Sequence, residues 1–174
     1  MKNKTLVRFC ISAVIAALYA AVSLALAPLS FGPVQIRIAE AMTLLPILFP
    51  EAIAGVTLGC FLTNLIGAIL GVNLLGFFDV FAGTLATFLA AMLTWRCRKL
   101  CVKGVPLVSA LMPVLFNAVI IGAELAYVLY PTALLTGFVI NALEVGFGEL
   151  VACFILGLPL VKALDKAQLA KRFG

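Results

Sequence analysis

Every Lys and Arg of this 174-residue chain except Arg37 falls in one of three short clusters, and between the clusters run apolar stretches of about 20 residues. The clusters are Lys2, Lys4 and Arg8; Arg96, Arg98, Lys99 and Lys103; and Lys162, Lys166, Lys171 and Arg172. An apolar helix of that length satisfies its backbone hydrogen bonds internally, which is what crossing hydrocarbon requires. Cytoplasmic loops of membrane proteins collect Lys and Arg, so all three clusters are expected on one side, with an even number of spans between each and the next. The chain is 65% hydrophobic and 11% charged, far from a soluble domain's balance, so the expected fold class is an all-α integral membrane protein embedded in a lipid bilayer. The net charge of +5 does not indicate nucleic acid, because the basic residues sit at span ends and are not interleaved with exposed aromatics.

Apolar windows place helices at about 7–27, 38–49, 51–71, 77–95, 105–128 and 138–162, a single membrane domain over 1–174. The 38–49 segment is short and contains Glu40 and Pro46, and hydropathy alone would fuse it with the next helix across Pro50 and Glu51. Parity argues for six helices: five would send the basic termini to opposite sides, whereas six return both termini and the 96–103 loop to the cytoplasm. The outward connections are then 28–37, 72–76 and 129–137, which brings Arg37, Asn73 and Tyr130 to the outer side with Asp79 close by. The start imitates a secretory signal, but its apolar stretch runs to Ala27, beyond the usual core, so a retained first helix is expected. Cys10, Cys97 and Cys101 are expected at the cytoplasmic face as thiols, and the Cys97–Cys101 spacing makes a poor metal site without a second pair, so no metal and no cofactor are expected.

Gly55, Gly59, Thr63, Gly67 and Gly71 recur in steps of four, giving the third helix a small-residue face that lets another backbone approach closely. Packing within the bundle is the preferred reading. The first helix has a comparable run in Ser12, Ala13, Ala16, Ala17, Ala20 and Ala21, which on its own also indicates internal packing.

Acids inside apolar runs are costly and need a role. Asn117 and Glu124 lie seven residues apart, so they share a helix face about 10 Å apart along the axis, with Tyr127 continuing that face outward. Asn141 and Glu144 are spaced i, i+3 in the outer part of the last helix, Asp79 opens the fourth at that level, and Arg37 and Glu40 flank the start of the second. Glu149 points about 140° away from Glu144, which assigns it to bonding between helices, and Glu51 after Pro50 reads as a helix-start carboxylate facing the helix dipole. Acids therefore outnumber the one basic residue at this depth. A pocket of Arg37, Glu40, Asp79, Asn117, Glu124, Tyr127, Asn141 and Glu144 favours a small cationic ligand rich in N–H donors.

The run Gln35-Ile36-Arg37-Ile38-Ala39-Glu40-Ala41-Met42-Thr43-Leu44-Leu45-Pro46, continuing into Phe49-Pro50-Glu51-Ala52, resembles the QueT family. The likeness extends through Asn141 to Glu149 and the closing Leu156-Gly157-Leu158-Pro159-Leu160. These are substrate-binding S components of energy-coupling-factor (ECF) transporters associated with queuosine precursors. The resemblance implies six helices in a prokaryotic plasma membrane, an outward pocket capped by the loop after the first helix, and association with a membrane coupling (T) subunit and two ATPase subunits. It also changes the reading of the first helix, because S components contact the coupling subunit through an A-A-x-x-A motif that Ala16, Ala17 and Ala20 match, with Ala13 one turn earlier. The implied ligands are 7-deazaguanines such as the 7-aminomethyl form or queuine, whose adjacent ring donors suit a carboxylate and whose side-chain amine is cationic near neutral pH. Asn117 or Asn141 would answer ring acceptors and Tyr127 would stack on the ring.

No G-x-x-x-x-G-K-[ST] phosphate loop occurs, so ATP hydrolysis would belong to partner subunits. A receptor for another vitamin-like solute, or a small self-sufficient secondary transporter, is the alternative, although no repeated half is evident. A membrane enzyme fits less well, since histidine is absent and no nucleophile lies beside an evident base.

Overall fold

A computed structural model describes residues 4–32 and 36–168. Lys2, Gln35, Lys171, Arg172 and the middle of the loop expected to cap the pocket lie outside the described residues. The helices are α1 (Lys4–Ala25), the short α2 (Ala27–Ser30), a 3-10 helix (Ile38–Ile47), α3 (Ala52–Ile69), α4 (Phe77–Cys97), α5 (Leu107–Leu129), α6 (Leu134–Leu150), a π-helical stretch (Val151–Gly157) and α7 (Leu158–Lys166). The last three run on as one 33-residue apolar rod, and among the described residues it and α1, α3, α4 and α5 are the five helices long and apolar enough to cross a membrane. The protein is an all-α membrane protein.

The 3-10 helix is the unusual element. Pro46 lacks the N–H that an α-helix would direct at the Met42 carbonyl, and one turn earlier the Thr43 hydroxyl bonds the Glu40 carbonyl at 2.5 Å. A 3-10 helix rises about 2.0 Å per residue against 1.5 Å in an α-helix, so a ten-residue segment reaches as far as a longer α-helix. Its start is tied to Asp79 at the beginning of α4, and Glu51 just beyond its end pairs with Arg8 near the start of α1 at 2.9 Å. It therefore runs from one end of the bundle to the other. The Arg8 pair, reinforced by the Ser12 hydroxyl on the Glu51 carbonyl at 2.8 Å, supplies the positive charge that the 48–51 turn itself lacks. Ala39, Glu40, Ala41, Thr43, Leu44, Leu45 and Pro46 are all buried, so this element is wrapped by other helices rather than lipid.

The small-residue face of α3 packs against α1. A methyl group added at Gly59 would sit 2.7 Å from Tyr19 Cβ and 3.0 Å from the Ala16 carbonyl, and one at Gly55 would sit 2.9 Å from Ile15 Cβ. Only glycine lets the two backbones lie this close. Gly59→Leu is expected to lower stability by about 1–3 kcal/mol through overpacking, read as a fall in the thermal unfolding midpoint in detergent; an unchanged midpoint would contradict this packing.

The last rod begins earlier than hydropathy suggests, at Leu134 rather than near 138. Gly137, which reads as a breaker, instead makes room for Tyr130, whose Cβ would lie 2.5 Å from an added methyl. Farther along, Pro159 cannot donate to the preceding turn, and the helix widens into the π stretch just before it. That stretch packs on the 3-10 helix through Gly157, where an added methyl would meet Leu44 Cδ1 at 2.8 Å.

Candidate functional site

A buried polar seam runs inward from the start of α4. Gly76, at φ 60°, adopts a conformation that a side chain would strain, and it starts α4 so that Asp79 falls in the first turn, where the helix dipole favours a carboxylate. Arg37 Nη2 donates to Asp79 Oδ2 at 2.7 Å, and Asn73 Nδ2 donates to the same oxygen at 3.0 Å. The Asn73 carbonyl in turn accepts from the Leu75 N–H at 3.0 Å, which fixes its amide. Asn64 on α3 donates to the Asp79 backbone carbonyl at 2.7 Å. Among the described residues Arg37 is the only buried basic side chain.

One turn inward on the 3-10 helix, Glu40 is fully buried. Its Oε1 accepts from the Tyr19 hydroxyl of α1 and from the Thr87 hydroxyl of α4, the latter at 3.1 Å. Asn117 of α5 donates through Nδ2 to Glu149 Oε1 of α6 at 3.0 Å, and the Cys153 thiol lies 3.9 Å from Glu149 Oε2 and 3.8 Å from the Glu40 carbonyl. Glu40 and Glu149 thus meet around Cys153. Glu124 lies within electrostatic reach of both Asp79 and Arg37. Five buried acceptor atoms on four of these side chains have no partner: Glu40 Oε2, Asp79 Oδ1, Asn117 Oδ1 and both Glu124 carboxylate oxygens. Thr63 Oγ1 on α3 is buried without a partner as well. Within the seam the unpartnered buried atoms are therefore mainly acceptors; the Thr63 hydroxyl can also donate, and the one unpartnered indole N–H, of Trp95, lies near the far end of α4.

The sequence-derived residues separate accordingly. Arg37, Glu40, Asp79, Asn117 and Glu124 belong to the seam. Asn141 is buried, but its amide donates to the Gly137 carbonyl of its own helix at 2.7 Å. Close approach of Gly122 to Ala142 and of Ala118 to Gly146 sets the α5–α6 register, which puts Asn141 beside the Glu124 turn and Glu144 farther inward than the spacing implied. Glu144 is half-buried, next to the exposed Leu143. Tyr127 is 67% exposed, so a stacking role inside the bundle does not fit its position; at i+3 from Glu124 it has rotated off the face toward the surface. On α1, Ala13 and Ala17 are exposed and Ala20 is half-buried, whereas Ala16 is buried against Gly59 and is unavailable to a partner.

Sequence reasoning passed over Tyr19, Asn64, Asn73 and Thr87 as site residues. Asn64 and Thr87 carried a usable signal as polar side chains deep in apolar helices. An outer apolar cavity of about 260 Å³, lined by Ala27, Pro28, Phe31, Gly32 and Val72, holds none of the seam's polar groups. Among the described residues no cluster of His, Cys, Asp and Glu could hold a metal ion.

The family model for the QueT transporter matches residues 9–166, which spans α1 to α7 and includes every residue of the seam. The chain belongs to the QueT transporter family. No curated protein and no solved structure matches it. A QueT transporter of this build is a multi-pass membrane protein that carries a small ligand.

Proposed function

We propose that this QueT-family chain is the substrate-binding S component of an ECF transporter and that it captures a queuosine precursor, a 7-deazaguanine such as the 7-aminomethyl form or queuine. The observation that carries this reading is the set of unpartnered buried acceptors on Glu40, Asp79, Asn117 and Glu124 around a single buried cation, Arg37. A deazaguanine supplies what that interior lacks: adjacent ring and exocyclic N–H donors and a positively charged side-chain amine. Asn141, beside the Glu124 turn, and Glu144, farther inward, flank the seam on α6. Both termini face the cytoplasm of a prokaryotic plasma membrane in this reading, in accord with the basic clusters.

Delivery into the cell depends on two ATPase subunits and on the coupling subunit, which docks on α1 through its exposed Ala13 and Ala17 with Ala20 at the edge. The purified chain alone is expected to bind 7-aminomethyl-7-deazaguanine or queuine in a calorimetric titration. A flat titration with both, and with guanine, would overturn the substrate reading. Ala17→Trp is expected to abolish uptake in cells while leaving that titration unchanged. Loss of both together would instead place Ala17 in internal packing.

A further inference from the structure

We propose that the site selects its ligand through acceptors alone, and that Tyr19, Thr87, Asn73 and Glu149 are positioning residues that enforce the selection. This rests on the reading of a small donor-rich ligand and adds which edge of it is chosen and what holds the choosers in place.

One pattern recurs at three side chains. Two hydroxyls, from Tyr19 and Thr87, converge on Glu40 Oε1 and leave Oε2 buried with no partner. Arg37 and Asn73 converge on Asp79 Oδ2 and leave Oδ1 in the same condition. Asn117 commits Nδ2 to Glu149 Oε1 and leaves Oδ1. Glu40, Asp79 and Asn117 are each fully buried. Protein donors hold one oxygen of Glu40 and of Asp79, and the Glu149 carboxylate holds the Asn117 amide by accepting from its Nδ2, so no plane can turn freely and the free end is an acceptor at Asn117 and at each ionised carboxylate. The Asn117 amide could present a donor only by turning its carbonyl against the Glu149 carboxylate, setting acceptor on acceptor. The three groups lie along one seam, since Arg37, bonded to Asp79, directly precedes the 3-10 helix that holds Glu40, and the Cys153 thiol touches both the Glu40 carbonyl and Glu149. A heterocycle with neighbouring N–H groups completes such a site, whereas one that places a ring acceptor there meets repulsion and leaves protein acceptors unmatched.

The test compares 7-deazaguanine with 7-deazahypoxanthine, which lacks only the exocyclic amine, and includes 2,4-diaminopyrimidine as a donor-rich ring of another class. Wild type is expected to favour 7-deazaguanine over 7-deazahypoxanthine by at least about 100-fold, as buried polar sites do when a donor is missing. Tyr19→Phe combined with Thr87→Val keeps the packing but removes both clamps on Glu40, and is expected to shrink that ratio at least about tenfold, or about 1.4 kcal/mol. Thr87→Ser, which keeps the hydroxyl, is expected to retain the ratio; where the double variant does not fold, Thr87→Val alone reads the same quantity. Equal wild-type affinity for the two deaza rings, or variants that weaken both in parallel, would overturn the inference while leaving the queuosine-precursor reading intact. Binding of 2,4-diaminopyrimidine without either deaza ring would uphold acceptor-only selection and overturn that reading. Binding of none of the three would overturn both.

Discussion

Glu40→Gln is expected to reduce affinity for the deazaguanine by about 100-fold or more while changing the unfolding free energy by about 1 kcal/mol or less. The two effects separate because the two ends of the side chain do different things. A glutamine amide can keep its carbonyl oxygen where Oε1 now accepts from Tyr19 and Thr87, so both clamps survive. Its NH2 group then occupies the position of Oε2, turning an acceptor toward the ligand into a donor. A ligand that presents N–H there meets a donor instead of a partner, and it also loses the compensating negative charge. Calorimetric titration against a thermal unfolding series separates the two quantities. Destabilisation with affinity preserved would make Glu40 a structural residue and move recognition elsewhere.

Asp79→Ala is expected to act on both quantities at once, lowering stability by about 3–5 kcal/mol and abolishing detectable binding. Arg37 is buried, and its guanidinium lies 2.7 Å from Asp79 Oδ2; removing that carboxylate takes away the acidic half of a buried ion pair. The same substitution deprives Asn73 of its acceptor at the 70–76 turn and removes one of the unpartnered acceptors of the seam. Asp79→Asn isolates the second consequence. It keeps an oxygen for Arg37 and Asn73, so it is expected to fold and still to lose at least about tenfold in affinity. If Asp79→Asn bound as tightly as wild type, Asp79 would serve only to hold Arg37.

The membrane fold was legible because its signals are long-range and redundant. The clusters around Arg8, Arg98 and Lys166 bound long apolar runs, and parity between them separated the 38–49 segment, which a hydropathy window merges with its neighbour and which forms a helix of its own at Ile38–Ile47. Its 3-10 geometry was not legible: the run Ile38–Ile47 is apolar and buried on most sides, so it carries no polar face whose repeat would tell a period of three from one of 3.6. The seam was half legible. Arg37 stood out as the one basic residue among acids, and Glu40, Asp79, Asn117 and Glu124 were identifiable as charged or amide groups in apolar helices.

The pairings were a different matter. Spacing along α5 linked Asn117 to Glu124, yet Asn117 bonds across to Glu149, because the α5–α6 register decides partners and no spacing within one helix reports it. Glu149, placed among the bonds between helices by its angle from Glu144, does bridge α5 and α6. Tyr127 was credited to the interior by a simple step of three, which falls short of a full turn and leaves the ring at the surface. Tyr19 was hidden in the alanine run that drew attention to α1 as a contact helix, and only the close approach permitted by Gly59 shows that its hydroxyl reaches Glu40.

The most direct measurement is a structure of the purified chain with 7-aminomethyl-7-deazaguanine bound. The account requires N–H groups of the ring within about 3 Å of Glu40 Oε2 and Asp79 Oδ1, with Tyr19 and Thr87 still seated on Glu40 Oε1. A ligand lodged in the outer apolar cavity between Phe31 and Val72, with those two oxygens satisfied by other protein donors, would contradict it.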